Sequence, residues 1–288
     1  MGSLRDIKGR IVSVKKTKKI TQAMKMVAAA KFKRAQNNLE HSKNYGNALQ
    51  AIIDDMATRM EPDNLPTVFT GNPNAKEVVI LVTADRGLCG GFNTNIIKAA
   101  QNYITSKKET DLELFIIGNK AAQFFKNKEV TIHEQHTHLG DHLTSEKIAA
   151  LIAPVTEKVK NREVGKVTLF FNRFISAITN EQESKQIYPL ELKDWEPQKR
   201  LENADYIYES GKEQTLNAFA AEYVSYQIYQ ALLNSQAAEE GSRMAAMDSA
   251  TSNASDVIYD LSLEYNRSRQ AAITTEISEI VAGATSLG

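Results

Sequence analysis

Proline is confined to the middle of this 288-residue chain: all six lie between Pro62 and Pro197. The 61 residues before them and the 91 after have none. A proline in a helix interior removes a backbone hydrogen bond and clashes with the preceding turn, at about 3 kcal/mol. Its absence leaves both ends open to long, uninterrupted helices. The apolar spacing points the same way. Steps of three and four from Leu4 run through Ile7, Ile11, Val14, Lys18, Thr21, Lys25, Ala28, Phe32, Ala35, Leu39, Ser42, Gly46, Leu49, Ile53, Met56 and Met60, and twelve of these seventeen are apolar. The same spacing leads from Phe219 through Leu233, Met247, Thr251, Ala254 and Leu261 to Ala272, with twelve of sixteen positions apolar. A repeat sustained over so many heptads is a coiled-coil seam. Near Lys18–Lys25 the apolar residues slip to Ile20, Met24 and Val27, which predicts a stutter. Ser3 with Asp6 resembles a capping box, and MEPDNLPTVFTGNPN (60–74) ends the first helix.

The segment 76–195 has a different rhythm. EVVILVTAD, LELFIIG and KVTLFFNRFI read as strands, VTIHEQ as a further one, and SKQIYPLEL as the last. TNIIKAAQNYITSKK, NKAAQFFKNK and SEKIAALIAPVTEKVKNRE between them read as helices. Strands alternating with helices predict an α/β domain on a largely parallel sheet. This domain is then an insertion between two helices that pair antiparallel.

Charge divides the chain as sharply as proline does. Residues 1–34 carry eleven Lys and Arg against one acid, Asp6, whereas residues 198–288 carry six against thirteen acids. Opposite charge favours pairing of the two ends, or pairing of the basic end with an acidic partner. No apolar run approaches the roughly 18 residues that span a bilayer. MGSLRDIKGR lacks the apolar stretch of a signal peptide. The single cysteine, Cys89, excludes an internal disulfide.

Four features invite a functional reading. TADRGLCGGFN (83–93) follows a strand, and Gly87, Gly90 and Gly91 give G-x-x-G-G. A dinucleotide loop needs G-x-G-x-x-G, and a Walker A loop needs a lysine after its last glycine. Neither is present, so the expectation is a tight strand-to-helix turn and no cofactor. Cys89 reads as a small buried thiol rather than a nucleophile. His133, His136, His138 and His142 cluster in HEQHTHLGDH. Metal ligation is conceivable there, but a polar, solvated loop is the plainer reading. The run KKTKK (15–19) lacks interleaved aromatic residues. It reads as a solvated face or a surface for an acidic protein partner, not for nucleic acid. Finally, ITTEISEIVAGATSLG carries Ile273, Ile277, Ile280 and Leu287 past the reach of the first helix, which predicts an apolar socket in a partner.

TKKITQAMKMVAAAK, TADRGLCGGFN and ITTEISEIVAGATS, in this order and spacing, resemble the γ subunit family of bacterial-type F-type ATP synthases from end to end. The resemblance implies a long antiparallel two-helix coiled coil with an inserted Rossmann-like α/β domain, an α+α/β fold. The expected divisions are 1–61 for the N-terminal coiled-coil helix, 76–195 for the Rossmann-like domain and 210–287 for the C-terminal coiled-coil helix. It also implies a rotating central stalk that turns within a hexameric ring of α and β subunits and meets the ε subunit and the membrane c-ring. Such a chain is not itself catalytic, needs no cofactor or metal, and meets the membrane only indirectly, at the cytoplasmic face of the bacterial inner membrane. By the same resemblance Met24, Lys25, Arg243, Arg269 and Gln270 contact β. Tyr206, Tyr208 and Glu209 contact the membrane ring or ε, and the tip residues Ile273, Ile277, Ile280 and Leu287 enter an apolar socket. The histidine cluster matches no pattern of that family. The competing reading is a coiled-coil scaffold or nucleic-acid-organising protein with an inserted α/β domain.

Overall fold

A computed structural model of the chain describes residues 4–58, 67–107, 112–140, 144–191 and 211–286. Two helices dominate it: α1 (Leu4–Thr58) and α6 (Lys212–Ser286). Between them lie a short helix α2 (Thr67–Thr70), strands β1 (Lys76–Val82), β2 (Leu112–Ile117), β3 (Ile132–His136), β4 (Val164–Phe174) and β5 (Asn180–Tyr188), and helices α3 (Phe92–Ser106), α4 (Asn119–Phe125) and α5 (Ser145–Lys160). The chain forms two compact units, one of Met1–Ala29 with Arg243–Gly288, the other of Ala30–Ser242.

The larger unit is built on a five-stranded sheet of order β3-β2-β1-β4-β5. The first three contacts are parallel and β4–β5 is antiparallel. β1 lies at the centre and is covered on both faces, which explains why its sequence, KEVVILV, is apolar without alternation. Its side chains still divide by parity. Val78, Ile80 and Val82 face α5 and α6, packing with Ile148, Ile152, Val224 and Ile228. Val79 and Leu81 face α3 and α4, packing with Ile96, Ala100 and Phe125. β5, at one edge, keeps polar residues along most of its length. α6 is buried around much of its girth over residues 216–243, because it packs on the sheet through Val224, Ile228 and Leu232 and on α1 through Leu233 and Ala237. Each such valine, leucine or isoleucine side chain withdrawn from water contributes about 1.5–3 kcal/mol.

α1 and α6 run antiparallel here: Tyr45 meets Glu222, and the earlier Ser42 meets the later Gln230. Gly46 sits where a side chain has no room, since a Cβ there would lie 2.0 Å from the Tyr226 ring.

The smaller unit is a pure helix pair with the same polarity, Lys25 opposite Asp248 and Thr21 opposite Thr251. Ile7, Thr21, Ala28, Met247, Ala254 and Leu261 are buried at three-to-four spacing. The expected stutter does not occur. Ile20 and Val27 are more than half exposed, and the seam passes through Thr21 and Ala28 instead. The reason is a hydrogen bond. The Thr21 and Thr251 hydroxyls meet at 2.7 Å, each also within reach of a carbonyl of its own helix, Lys18 O and Met247 O. A paired hydroxyl can stay in a seam without the penalty of an unsatisfied one.

Candidate partner-binding surface

The glycine motif occupies the carboxyl ends of β1 and β4, where the chain turns to opposite sides of the sheet and where open α/β sheets customarily take ligands. Here the protein's own side chains fill that crevice. Cys89 is buried with Ala84, Phe92, the half-buried Phe174 and Ala238 of α6. The Asn93 carboxamide braces the turn, accepting from the Ala84 N–H at 2.9 Å and donating to the Arg86 carbonyl and the Cys89 sulfur. The carboxyl end of β4 is tied to α6 as well: the backbone N–H of Asn172 donates to Ser235 Oγ, and that of Phe174 to Asn234 Oδ1. Gly90 adopts φ +59°, the left-handed region that a glycine enters without strain. The motif is thus a strand-to-helix turn packed against α6.

The histidines are placed differently from expectation. His133 and His136 lie on β3, and only His138 lies in the loop that follows; His142 falls outside the described residues. His136 Nε2 is 2.8 Å from Glu134 Oε2, and its ring packs on Phe115. His133 Nδ1 stands 3.9 Å from Glu113. Burial alone would raise the Glu113 carboxyl, but the hydrogen bond from Lys158 and the charges of Lys158, His133 and Lys76 hold it below its ordinary value. His133 and His136 thus belong to ion pairs at the edge strand β3. No group of three or more metal-ligating side chains occurs among the described residues.

The remaining candidates sit on the helix pair. Lys25 Nζ bonds Asp248 at 2.6 Å, with both side chains well exposed. A surface pair of this kind contributes about 0–1 kcal/mol and yields readily to another carboxylate. Met24 is half-buried, and Arg243 is buried within the chain, offering little surface to a partner. Lys15, Lys16 and Lys19 are exposed, while Lys18 is half-buried at its seam position. Arg269 and Gln270 are exposed on successive positions of α6. Ala272 is half-buried; from Ile273 to Ala282 every side chain is exposed, among them Ile273, Ile277, Ile280 and Val281. Ile280 shows 71% of its surface. Leu287, Tyr206, Tyr208 and Glu209 lie outside the described residues, as does Ser3.

Two features of this surface were missed in the sequence. Asp248 gave no signal as the partner of Lys25. Ile20, Met26 and Val27 form exposed apolar surface on α1 because the seam does not slip toward them. The signal for the latter was present: Thr21 and Thr251 both fall on the three-four lattice, at positions that an antiparallel pair brings opposite.

Apolar residues at helical spacing on an exposed helix end call for a covering partner, and the relatives of this chain are proteins of an assembly. A family model described as ATP synthase matches residues 3–287. The ATP synthase gamma chain of Geobacter metallireducens is 40% identical over 289 residues, covering 100% of this chain and 99% of that one. The gamma chain of Pelagibacter ubique is 39% identical over 296 residues and covers both chains fully. Among solved structures, a chain in the central stalk/c-ring structure of the Tetrahymena thermophila mitochondrial ATP synthase superposes with a TM-score of 0.60 at 25% identity, over 80% of this chain and 99% of that one. A chain in the Euglena gracilis mitochondrial ATP synthase shares the fold with a TM-score of 0.69 at 17% identity, over 99% and 94%. The sequence match is end to end, and the chain belongs to the ATP synthase gamma chain family.

Proposed function

We propose that this chain is the central-stalk rotor subunit of a proton-translocating F-type ATP synthase, coupling rotation of the membrane c-ring to ATP synthesis or hydrolysis at the β subunits. Its partners in this reading are the α and β subunits of the hexameric ring, the ε subunit and the c-ring. The observation that carries the reading is the full-length match to gamma chains, joined to an α6 whose stretch beyond the half-buried Ala272 exposes Ile273, Ile277 and Ile280. A free-standing scaffold has no use for such an end; a subunit that turns inside an apolar sleeve does.

The chain does no chemistry of its own in this reading, and nucleotide binding belongs to the ring. The filled crevice at Cys89, Phe92 and Ala238 supports this. Lys25 and Met24 take the acidic loop of β, whereas Arg243, the further contact that the resemblance implies there, presents little surface for it. Arg269 and Gln270 take a second β loop, and Tyr206, Tyr208 and Glu209 take ε or the c-ring. The complex places the chain at the cytoplasmic face of the bacterial inner membrane, held there by its partners. No helix among the described residues is long and apolar enough to cross a membrane.

Affinity capture of the full chain from native membranes tests the reading. Co-purification of α, β and ε with ATPase activity is expected. A chain that recovers none of the three from membranes retaining ATPase activity contradicts it.

A further inference from the structure

At the amino ends of β1, β2 and β4, opposite the filled crevice, a cleft of about 410 Å³ opens in the α/β unit. Its volume falls within the range of roughly 300–1,000 Å³ usual for small-molecule sites. Lys76, Lys107 and Lys166 line it together with Glu77 and the loop Asn72–Ala75. The arrangement turns on Glu77, a buried carboxylate at the start of the central strand. Its Oε1 accepts from the Tyr103 hydroxyl at 2.7 Å and from Thr168 Oγ1 at 2.5 Å. Those bonds fix its position. Two ammonium groups stand farther off, at ion-pair distance from it: Lys166 Nζ at 3.7 Å and Lys107 Nζ at 3.8 Å. Both lysines stand over the Tyr103 ring, at 5.8 and 5.5 Å from its centroid. Lys166 also donates to the Tyr103 hydroxyl at 3.2 Å.

Two cations therefore share one anion, and Lys76 adds a third positive charge, paired at 3.5 Å with Glu113 outside the lining. Here the buried anchor gathers an excess of cations at the mouth of a cleft and holds their N–H bonds near solvent. Burial would lower the Lys166 ammonium, but the bond to Tyr103 and the charge of Glu77 outweigh it and raise it, so the group stays charged. We propose that this cleft binds a phosphate group, either as free phosphate or on the headgroup of an anionic phospholipid. Converging ammonium groups recognise phosphate oxygens through short charge-assisted hydrogen bonds, and the cleft has room for the group together with what it is attached to.

The inference is independent of the rotor assignment, and its test uses the full chain outside any complex. Inorganic phosphate is titrated by calorimetry against chloride at equal ionic strength. Flotation with phosphatidylcholine vesicles, with and without phosphatidylglycerol, forms the second arm. Saturable binding in at least one arm is expected, weakened about tenfold or more in Lys107→Gln/Lys166→Gln. The Glu77→Gln variant keeps every lysine and removes the competing charge, so it should bind more tightly; a merely structural cluster predicts no gain. Binding of phosphate alone identifies a free anion, and binding of anionic vesicles alone identifies a lipid headgroup. Absence of binding in both arms overturns the proposal. So does unchanged binding in the double lysine variant, or no tightening in Glu77→Gln when its circular dichroism matches the parent.

Discussion

Thr21 and Thr251 show how a single polar pair fixes the register of a long helix pair. The hydroxyls meet at 2.7 Å within a seam otherwise made of Ile7, Ala28, Met247, Ala254 and Leu261. Replacing Thr251 alone with valine leaves the Thr21 hydroxyl without its cross-helix partner, at about 1 kcal/mol. Replacing both gives an apolar seam of nearly the same shape. Urea denaturation should therefore show the double valine variant losing clearly less than the two single losses combined. Strict additivity would mean that the pair does not interact. A second residue-scale expectation concerns pH. Burial, with the nearby charges of Asp54 and Glu191, pushes the Tyr223 hydroxyl up from 10.0 to about 12. The folded chain holds this proton more tightly than the unfolded chain, so stability is fully retained below pH 10 and falls as pH rises from 10 to 12. Tyr223→Phe removes the titrating group, and the loss of stability over that window should become shallower. An unchanged slope would show that the other raised tyrosines, Tyr45, Tyr188 and Tyr226, account for the whole effect.

At the scale of an element, α6 does three jobs along its 75 residues. It forms one side of the α/β core through Val224 and Ile228, pairs with α1 through Ala254 and Leu261, and ends in exposed isoleucines. Continuity is the property these jobs share. Ala254→Pro removes a helical hydrogen bond at a buried seam position and costs about 3 kcal/mol or more locally. In the rotor reading that loss falls on stiffness. The variant should assemble poorly or turn over slowly, whereas removal of residues from Ala282 onward should be better tolerated, because the buried seam positions Met247, Ala254 and Leu261 all lie before it. ATP-driven proton pumping in membranes carrying each variant reads the comparison. The basic face of α1 is a separate case. Reversal of Lys15, Lys16, Lys18 and Lys19 to glutamate should impair assembly or turnover in a salt-dependent manner, as expected for steering toward acidic loops.

For the whole molecule the question is how much load a single contact can bear. Each ion crossing about 100 mV releases about 2.3 kcal/mol per charge, so a few ions at 100–200 mV supply on the order of 10 kcal/mol per ATP. A hydrogen bond to a charged group contributes only about 1.5–3 kcal/mol. The load must be spread over many contacts of the helix pair. Arg269→Ala/Gln270→Ala should slow turnover and still leave proton pumping detectable. A double variant that abolishes pumping, set beside an Ala254→Pro variant that pumps normally, would refute distributed transmission.

Periodicity and composition alone determined the two long helices, their antiparallel seam and the α/β insertion, because a three-four repeat and a strand-helix alternation are local patterns that survive without knowledge of neighbours. The exposed end of α6 was legible for the same reason. Only the tertiary structure decided the rest. The seam kept its register through Lys18 and Thr21 because Thr251 lies opposite, a partner 230 residues away. Similarly, what packs beside the glycine turn was decided there: Cys89 and Phe92 cluster with Ala238 of α6. Glu77 of β1 met Tyr103 and Lys107 at the end of α3 and Lys166 of β4, elements whose nearness no spacing along the chain encodes. Pairing within one element is written in the sequence period, but pairing between elements depends on which surfaces the fold brings together.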